Sequence, residues 1–419
     1  MTFSTFRTLA LTLLLGVFSV VRAGEPPVLV LPASDVALSV AVPLPGSVRI
    51  DKLSSCKLVE IDAAAASIPA QVIPTAESDG TTAEGRGRLV AVIPARKSTA
   101  GKRRFRLLAA EPSEQGGLRF EEVDERSLKL LDGRTPVMVY NHAAIVGEHV
   151  PPSDSRRERA CYIHPLWGLS GEVLTDDFPK DHFHHHGVFW SWPYVGVEGK
   201  EYDMWSSDAV TPRFVRWICR GSGPVAAVLA VENGWFIGEK KVMIERVWMR
   251  TYKVCGAMRA IDLDFTWTPT DRPVSLRGRG GKSYGGLTMR LAVWPRRDAI
   301  VTTPRGAAGH EGEGLASKTD LSNTPLPWAD ISTEIPGCPQ RSGAALFVPP
   351  EHPDYPPTWL TRCYGPLCIG WPGVKGRTIE PGEPCSVSYR ILVHEKEMTL
   401  AQLQHVYDGY AAAGEAGWE

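Results

Sequence analysis

The segment Asp181-His182-Phe183-His184-His185-His186-Gly187 is the densest source of chemistry in the chain, and with His164 it holds five of the eleven histidines. A neutral imidazole ligates metals and, titrating near neutrality, exchanges protons with a substrate, so a local excess of histidine is informative where an excess of serine is not. If the segment is extended, His182, His184 and His186 share one face and His185 takes the other; if it is a loop, that period fails. The expectation is that His184 and His185 move protons. Should a divalent first-row metal be bound, His182 and His184 are the expected ligands, with help from His164, Asp181, Glu172 or Asp177.

Aromatic residues follow closely: Phe189, Trp190, Trp192, Tyr194, Tyr202 and Trp205. Indole and phenol faces suit the C–H face of a sugar ring, although the same side chains on strands commonly fill cores. Trp190 and Trp192 are taken as substrate-binding, together with His164. Later glycine-containing segments add Tyr284 with Arg290, and Arg362 with Tyr364. Their guanidinium groups could hold a carboxylate or sugar hydroxyls, or equally serve as structural ion-pair partners. Glu245, Asp262 and Asp264 fall inside predicted strands and are not assigned as a catalytic carboxylate pair.

The elements that must position these groups read as strands. Short runs at Val28–Leu31, Ala37–Val42, Gln71–Ile73, Arg88–Val92 and Arg104–Leu108 predict an N-terminal all-β module, with Thr81–Arg88 and Pro94–Lys102 as loops. A second series runs through Val137–Tyr140, Val225–Val231, Lys241–Tyr252, Arg259–Thr268, Leu287–Val293, Ala344–Val348 and Ser386–Val393. Ile261-Asp262-Leu263-Asp264-Phe265 alternates as a strand with one face on a core does. Leu403, Val406 and Tyr407 lie at helical spacing within Leu400–Ala413, the one credible amphipathic helix. The expected fold is mainly β, a large antiparallel β-sandwich preceded by a smaller module, with boundaries at 1–23, 24–115 and 116–419.

At the N-terminus Arg7 precedes the apolar run Leu9–Val21, which ends in Val21-Arg22-Ala23. A run of about 13 apolar residues is shorter than the roughly 20 of a spanning helix and fits a cleavable signal peptide at residues 1–23. The expectation is therefore a secreted or periplasmic protein that is not membrane-embedded. A net charge of −1 with no basic stripe argues against nucleic acid as a partner. Eight cysteines lie beyond Ala23 with no CxxC spacing, so a structural zinc site is not expected and any pairing stays open.

Several motifs resemble those of the PmoA-like ("methane oxygenase PmoA") family of uncharacterised bacterial secreted proteins. They are Tyr162-Ile163-His164-Pro165-Leu166, Gly171–Pro179, Asp181-His182 with His184-His185 and Gly187, Tyr284-Gly285-Gly286-Leu287 with Arg290, Pro327-Trp328-Ala329-Asp330, and His352-Pro353 through Trp359 to Tyr364-Gly365. The family pattern has Pro at the position of Phe183 and Arg at that of His186. The family name implies a membrane-embedded copper enzyme, which conflicts with the lack of a spanning stretch after the leader. The resemblance instead implies an aldose-epimerase or polysaccharide-lyase-like sandwich. Three functions are consistent with it: a carbohydrate-active lyase, glycosidase or epimerase, a metal-dependent oxidase or hydrolase, and a non-catalytic glycan-binding envelope protein. The expected ligand is a carbohydrate or another small molecule.

Overall fold

Alternation along the strands decides the layering. In the strand Met258–Pro269, Ile261, Leu263 and Phe265 enter the main core, while Asp262 and Asp264 point the other way, to Arg390 and Arg250 at 2.6 and 2.5 Å. The computed structural model describes residues 26–46, 48, 55–61, 67–96, 101–111, 117–207, 209–293, 296, 298–309 and 317–419. The expected leader at 1–23 and the expected boundary residues 112–116 lie outside them.

Two nine-stranded antiparallel sheets enclose the main core. The first runs, from edge to edge, through Thr324–Pro325, Thr358–Thr361, Pro366–Gly370, Gly286–Arg290, Val188–Ser191, Tyr162–Leu166, Thr135–Asn141, Ser127–Asp132 and Leu118–Asp124. The second runs from Val210–Gly221 through Ala226–Ile237, Lys240–Tyr252, Met258–Pro269, Cys385–Glu395, Ser342–Phe347, Trp328–Thr333 and Ile300–Thr303 to Gly306–Gly309. The architecture is thus mainly β, as expected.

A seven-stranded sheet built from the N-terminal strands covers the outer face of the second sheet: Ile73 and Val90 share a buried cluster with Val228, Ala230, Trp248 and Tyr252. Its last strand comes from the far end of the chain, where Leu29 pairs with Trp418. The helix Leu400–Ala413 packs Leu403, Val406 and Tyr407 on Trp328, Phe347 and Leu392. It starts at a capping box in which Thr399 and Gln402 each accept the other's backbone N–H, satisfying two donors that a helix start leaves open. None of the described helices is long and apolar enough to cross a membrane.

The expected loop at Thr81–Arg88 is wrong, because Thr82–Ile93 is one strand paired from Thr82 to Ala91 against Ser67–Ala76. Cross-strand pairing outweighs the glycines that read locally as a turn. All eight cysteines are free thiols.

In the first sheet one register row, Ile163, Val188, Met289 and Leu367, points into the inter-sheet core. The neighbouring positions Tyr162, Phe189 and Cys368 belong to a separate cluster on the opposite face. Arg290 alternates with Met289 and so shares that outer face, which the histidine segment covers.

Candidate active site

The histidine segment is not extended. The N–H of His182 donates to the Pro179 carbonyl and that of His185 to the His182 carbonyl, each at 2.9 Å, so two turns follow one another. The period-two face expected of an extended segment is therefore absent. The turns instead stack the rings of His182 and His185, 4.7 Å apart and 4° from parallel. Gly187 closes the segment against the sheet, since a Cβ there would meet the Ile163 carbonyl oxygen at 2.1 Å.

Arg290 organises the cluster from beneath. Its side chain is fully buried, and Nη2 donates to both oxygens of Asp181 at 2.9 Å. Nη1 lies 3.3 Å from Nδ1 of His185. A guanidinium only donates, so His185 accepts at Nδ1 and carries its proton on Nε2. The guanidinium also sits over the Tyr364 ring at 5.1 Å. Gly365, at φ +132°, has no room for a Cβ, which would approach the Leu291 carbonyl to 2.6 Å and Arg290 Nε to 3.1 Å.

Asp181 also accepts from Nδ1 of His182 at 3.0 Å. Burial pushes the Asp181 carboxyl up, but the His182 hydrogen bond and the Arg290 charge outweigh it and the net shift is downward. Asp181 is therefore an acceptor, His182 holds its proton on Nδ1, and Nε2 is left as the basic lone pair. The His182 ring also stacks on Tyr364 at 5.1 Å and 5°. With its side chain 25% exposed, it is the open end of the cluster.

A second network lies deeper. Asp177 accepts from Nδ1 of His186 at 2.8 Å and from the Tyr162 hydroxyl at 2.7 Å. Burial raises the Asp177 carboxyl, while the hydrogen bond and charge of His186 bring it below its ordinary value. Phe178, in left-handed backbone at φ +47°, sets its ring edge-on to His186 at 4.5 Å, and its carbonyl lies 2.6 Å from Nε2 of His149.

His184 and His185 are kept neutral. Burial, followed by the surrounding positive groups, holds His184 at about 3 and His185 well below the ordinary histidine value. Nδ1 of His184 is buried without a hydrogen-bond partner. His164 reaches the Thr175 hydroxyl at 3.0 Å, and burial lowers its pKa as well. Burial raises the Asp176 carboxyl.

The structure thus brings His182, His184, His185, Arg290 and Tyr364 together. Tyr284 packs on Trp205 at 4.8 Å, and Trp205 in turn touches His184 and His185. Three expected ligand-binding residues are committed to protein partners. Trp190 and Trp192 are 2% and 0% exposed in the inter-sheet core, with Trp192 Nε1 donating to the Trp371 carbonyl, because alternation turns both inward. Arg362 is spent on the carbonyls of Leu321 and Thr361 and the Ser322 hydroxyl at 2.8–2.9 Å. Its charge still reaches the Tyr364 phenol, as that of Arg290 does.

Among the described residues no three His, Cys, Asp or Glu side chains form a group that could hold a metal. A hollow of about 730 Å³ lined by His142, Arg159 and Phe214 lies apart from the histidine segment. Sequence reasoning passed over Trp205 as a contact of the cluster and Asp181 as the shared acceptor of Arg290 and His182. The latter is signalled by an acid directly before a histidine.

No curated protein matches the chain. Among solved structures, a galactose mutarotase related enzyme from Lactobacillus acidophilus aligns over 67% of this chain and 100% of its own, with 8% identity and a TM-score of 0.31. The PmoA-like membership expected from the motifs, and the exported PmoA-like function with it, is corrected by the family model that does match. Over residues 127–408 the chain belongs to DUF6807, a family of unknown function.

Proposed function

We propose that the chain is an enzyme that transfers a proton on a small polyhydroxylated molecule of the carbohydrate class, with His182 as the transferring group. The observation that carries this reading is the Asp181–His182 hydrogen bond of 3.0 Å at the exposed end of a buried network. A base oriented by a carboxylate, with its other nitrogen free, is the recurring arrangement of general acid–base sites. His185 has its lone pair committed to Arg290 and is 4% exposed; His184 at about 3 is a weak base near neutrality. Around them, neutral imidazoles, the Tyr364 phenol held up at about 12 and the flat faces of Trp205 and Tyr284 suit hydroxyl groups and sugar C–H faces.

The test is His182→Gln on a panel of glycans and free sugars, following both bond cleavage and solvent-deuterium exchange. Loss of a general base lowers turnover by about 10²–10⁴-fold, and the melting temperature should stay near that of the wild type because the ring is partly exposed. A variant with full turnover on a substrate of the wild type ends the assignment.

A further inference from the structure

We propose that the hollow at the edge of the second sheet is a binding site of its own, for a small organic cation: a protonated amine on a flat apolar body. Its volume, about 730 Å³, falls within the range of small-molecule sites. Phe214, on the edge strand Val210–Gly221, and His142, directly after the strand Thr135–Asn141, form one wall with their rings 5.1 Å apart. Trp217 backs both, at 5.1 Å from His142 and 4.6 Å from Phe214. Ala143, Ala160 and Pro212 add apolar surface. Neither ring nitrogen of His142 has a hydrogen-bond partner among the described residues, and burial lowers its pKa, so at neutral pH it presents an uncharged ring. Aromatic faces attract cations as well as apolar groups.

The charges around the hollow differ in what a ligand can reach. Glu158 is exposed on the lining and has no ion pair among the described residues. Glu125, also exposed, shares Arg126 with Asp124 at 4.0 and 3.6 Å, so two carboxylates have one cation between them. The cations are spent or sealed. Arg213 is taken up by Glu239 at 3.2 Å and the Gly238 carbonyl at 3.0 Å, and nearby Arg220 by Glu122 at 2.7 Å. Arg157, next to Glu158, donates to the Val150 carbonyl and is not part of the lining. Arg159 does line the hollow, but it is buried, with Nη1 and Nη2 on the carbonyls of Met204 and Trp190 and an unpartnered Nε closed off from solvent. An entering cation therefore meets two accessible carboxylates beside aromatic faces, whereas an anion meets like charge at the rim.

The test is calorimetric titration of the full chain with three probes that share one ring: phenethylammonium, 2-phenylethanol and 3-phenylpropionate. The ring faces and the two rim carboxylates together should make the ammonium bind about tenfold tighter than the alcohol, with 3-phenylpropionate weakest and the ammonium's advantage shrinking as salt is added. No binding of the ammonium, or an alcohol or carboxylate that binds as tightly, overturns the proposal. The double variant Glu125→Gln with Glu158→Gln places the probe. Both residues are exposed, so the fold should hold, and the ammonium should lose about fivefold in affinity while the alcohol is unchanged. An ammonium affinity that does not change in the folded double variant puts the probe elsewhere and overturns the proposal. So does an affinity that falls in His182→Gln, since His182 is not part of the lining. The three-probe comparison on the wild type stands without any variant, and its outcome does not depend on whether His182 transfers a proton.

Discussion

Both carboxylate oxygens of Asp181 lie 2.9 Å from a single nitrogen of Arg290, Nη2, with the two side chains 4% and 0% exposed. Removing one member of such a pair leaves the other charged and buried, which costs about 3–5 kcal/mol. Arg290→Ala should therefore lower the free energy of unfolding in urea by that amount. The double variant Arg290→Met with Asp181→Asn should lose less than the two single losses added together. Additive losses would mean that the pair does not act as a unit.

His394 invites a pH experiment. Its Nε2 lies 2.7 Å from Asp330 and its Nδ1 2.8 Å from the Lys396 carbonyl, so both nitrogens face acceptors and the ring is held doubly protonated. Burial alone would lower its pKa, but the Asp330 charge and these hydrogen bonds raise it above the ordinary value. A raised folded pKa means that the stabilisation is complete below about 6.5, the unfolded value, and fades as pH rises through the folded value. Imidazole resonances of His394 should keep the doubly protonated pattern to higher pH than those of His352, which burial lowers to about 4. A His394 ring that deprotonates first contradicts this.

How much of this was legible depended on whether the information was local. The Ile261–Phe265 alternation announced its two faces because each residue reports its own side. Thr82–Ile93 did not, since its strand character comes from pairing with Ser67–Ala76. The histidines were found by density alone, but their roles follow from contacts the sequence cannot display: Arg290 lies 109 residues beyond Asp181. Trp190 and Trp192 misled because an aromatic run near histidines looks the same whether it faces a ligand or a core. Glu245 went unassigned for the same reason; it is fully buried and accepts from Asn233, Trp235 and Trp267 at 2.9 Å each.

Trp192 separates core from ligand contact. It is buried between Trp235 and Trp267, at ring distances of 5.2 and 5.3 Å. Trp192→Ala should cost about 3–5 kcal/mol of stability. Trp192→Phe should cost less, retaining most of the ring while leaving the Trp371 carbonyl without its donor. If the folded Phe variant instead keeps wild-type stability and loses ligand binding, the inward placement of this residue is refuted.

The lowered histidines give the opposite pH signature to His394. His184 at about 3 and His352 at about 4 are both held down first by burial, so the unfolded chain binds protons there that the folded chain refuses. Their stabilisation is present above about 6.5 and is lost as pH falls toward those values, at up to about 1.4 kcal/mol per pH unit for each ring. Stability in urea should therefore drop between pH 6.5 and 4, and His184→Leu should make that drop shallower. A variant whose pH profile runs parallel to that of the wild type would mean that His184 takes up its proton equally well in the folded and unfolded chain, and would overturn this reading.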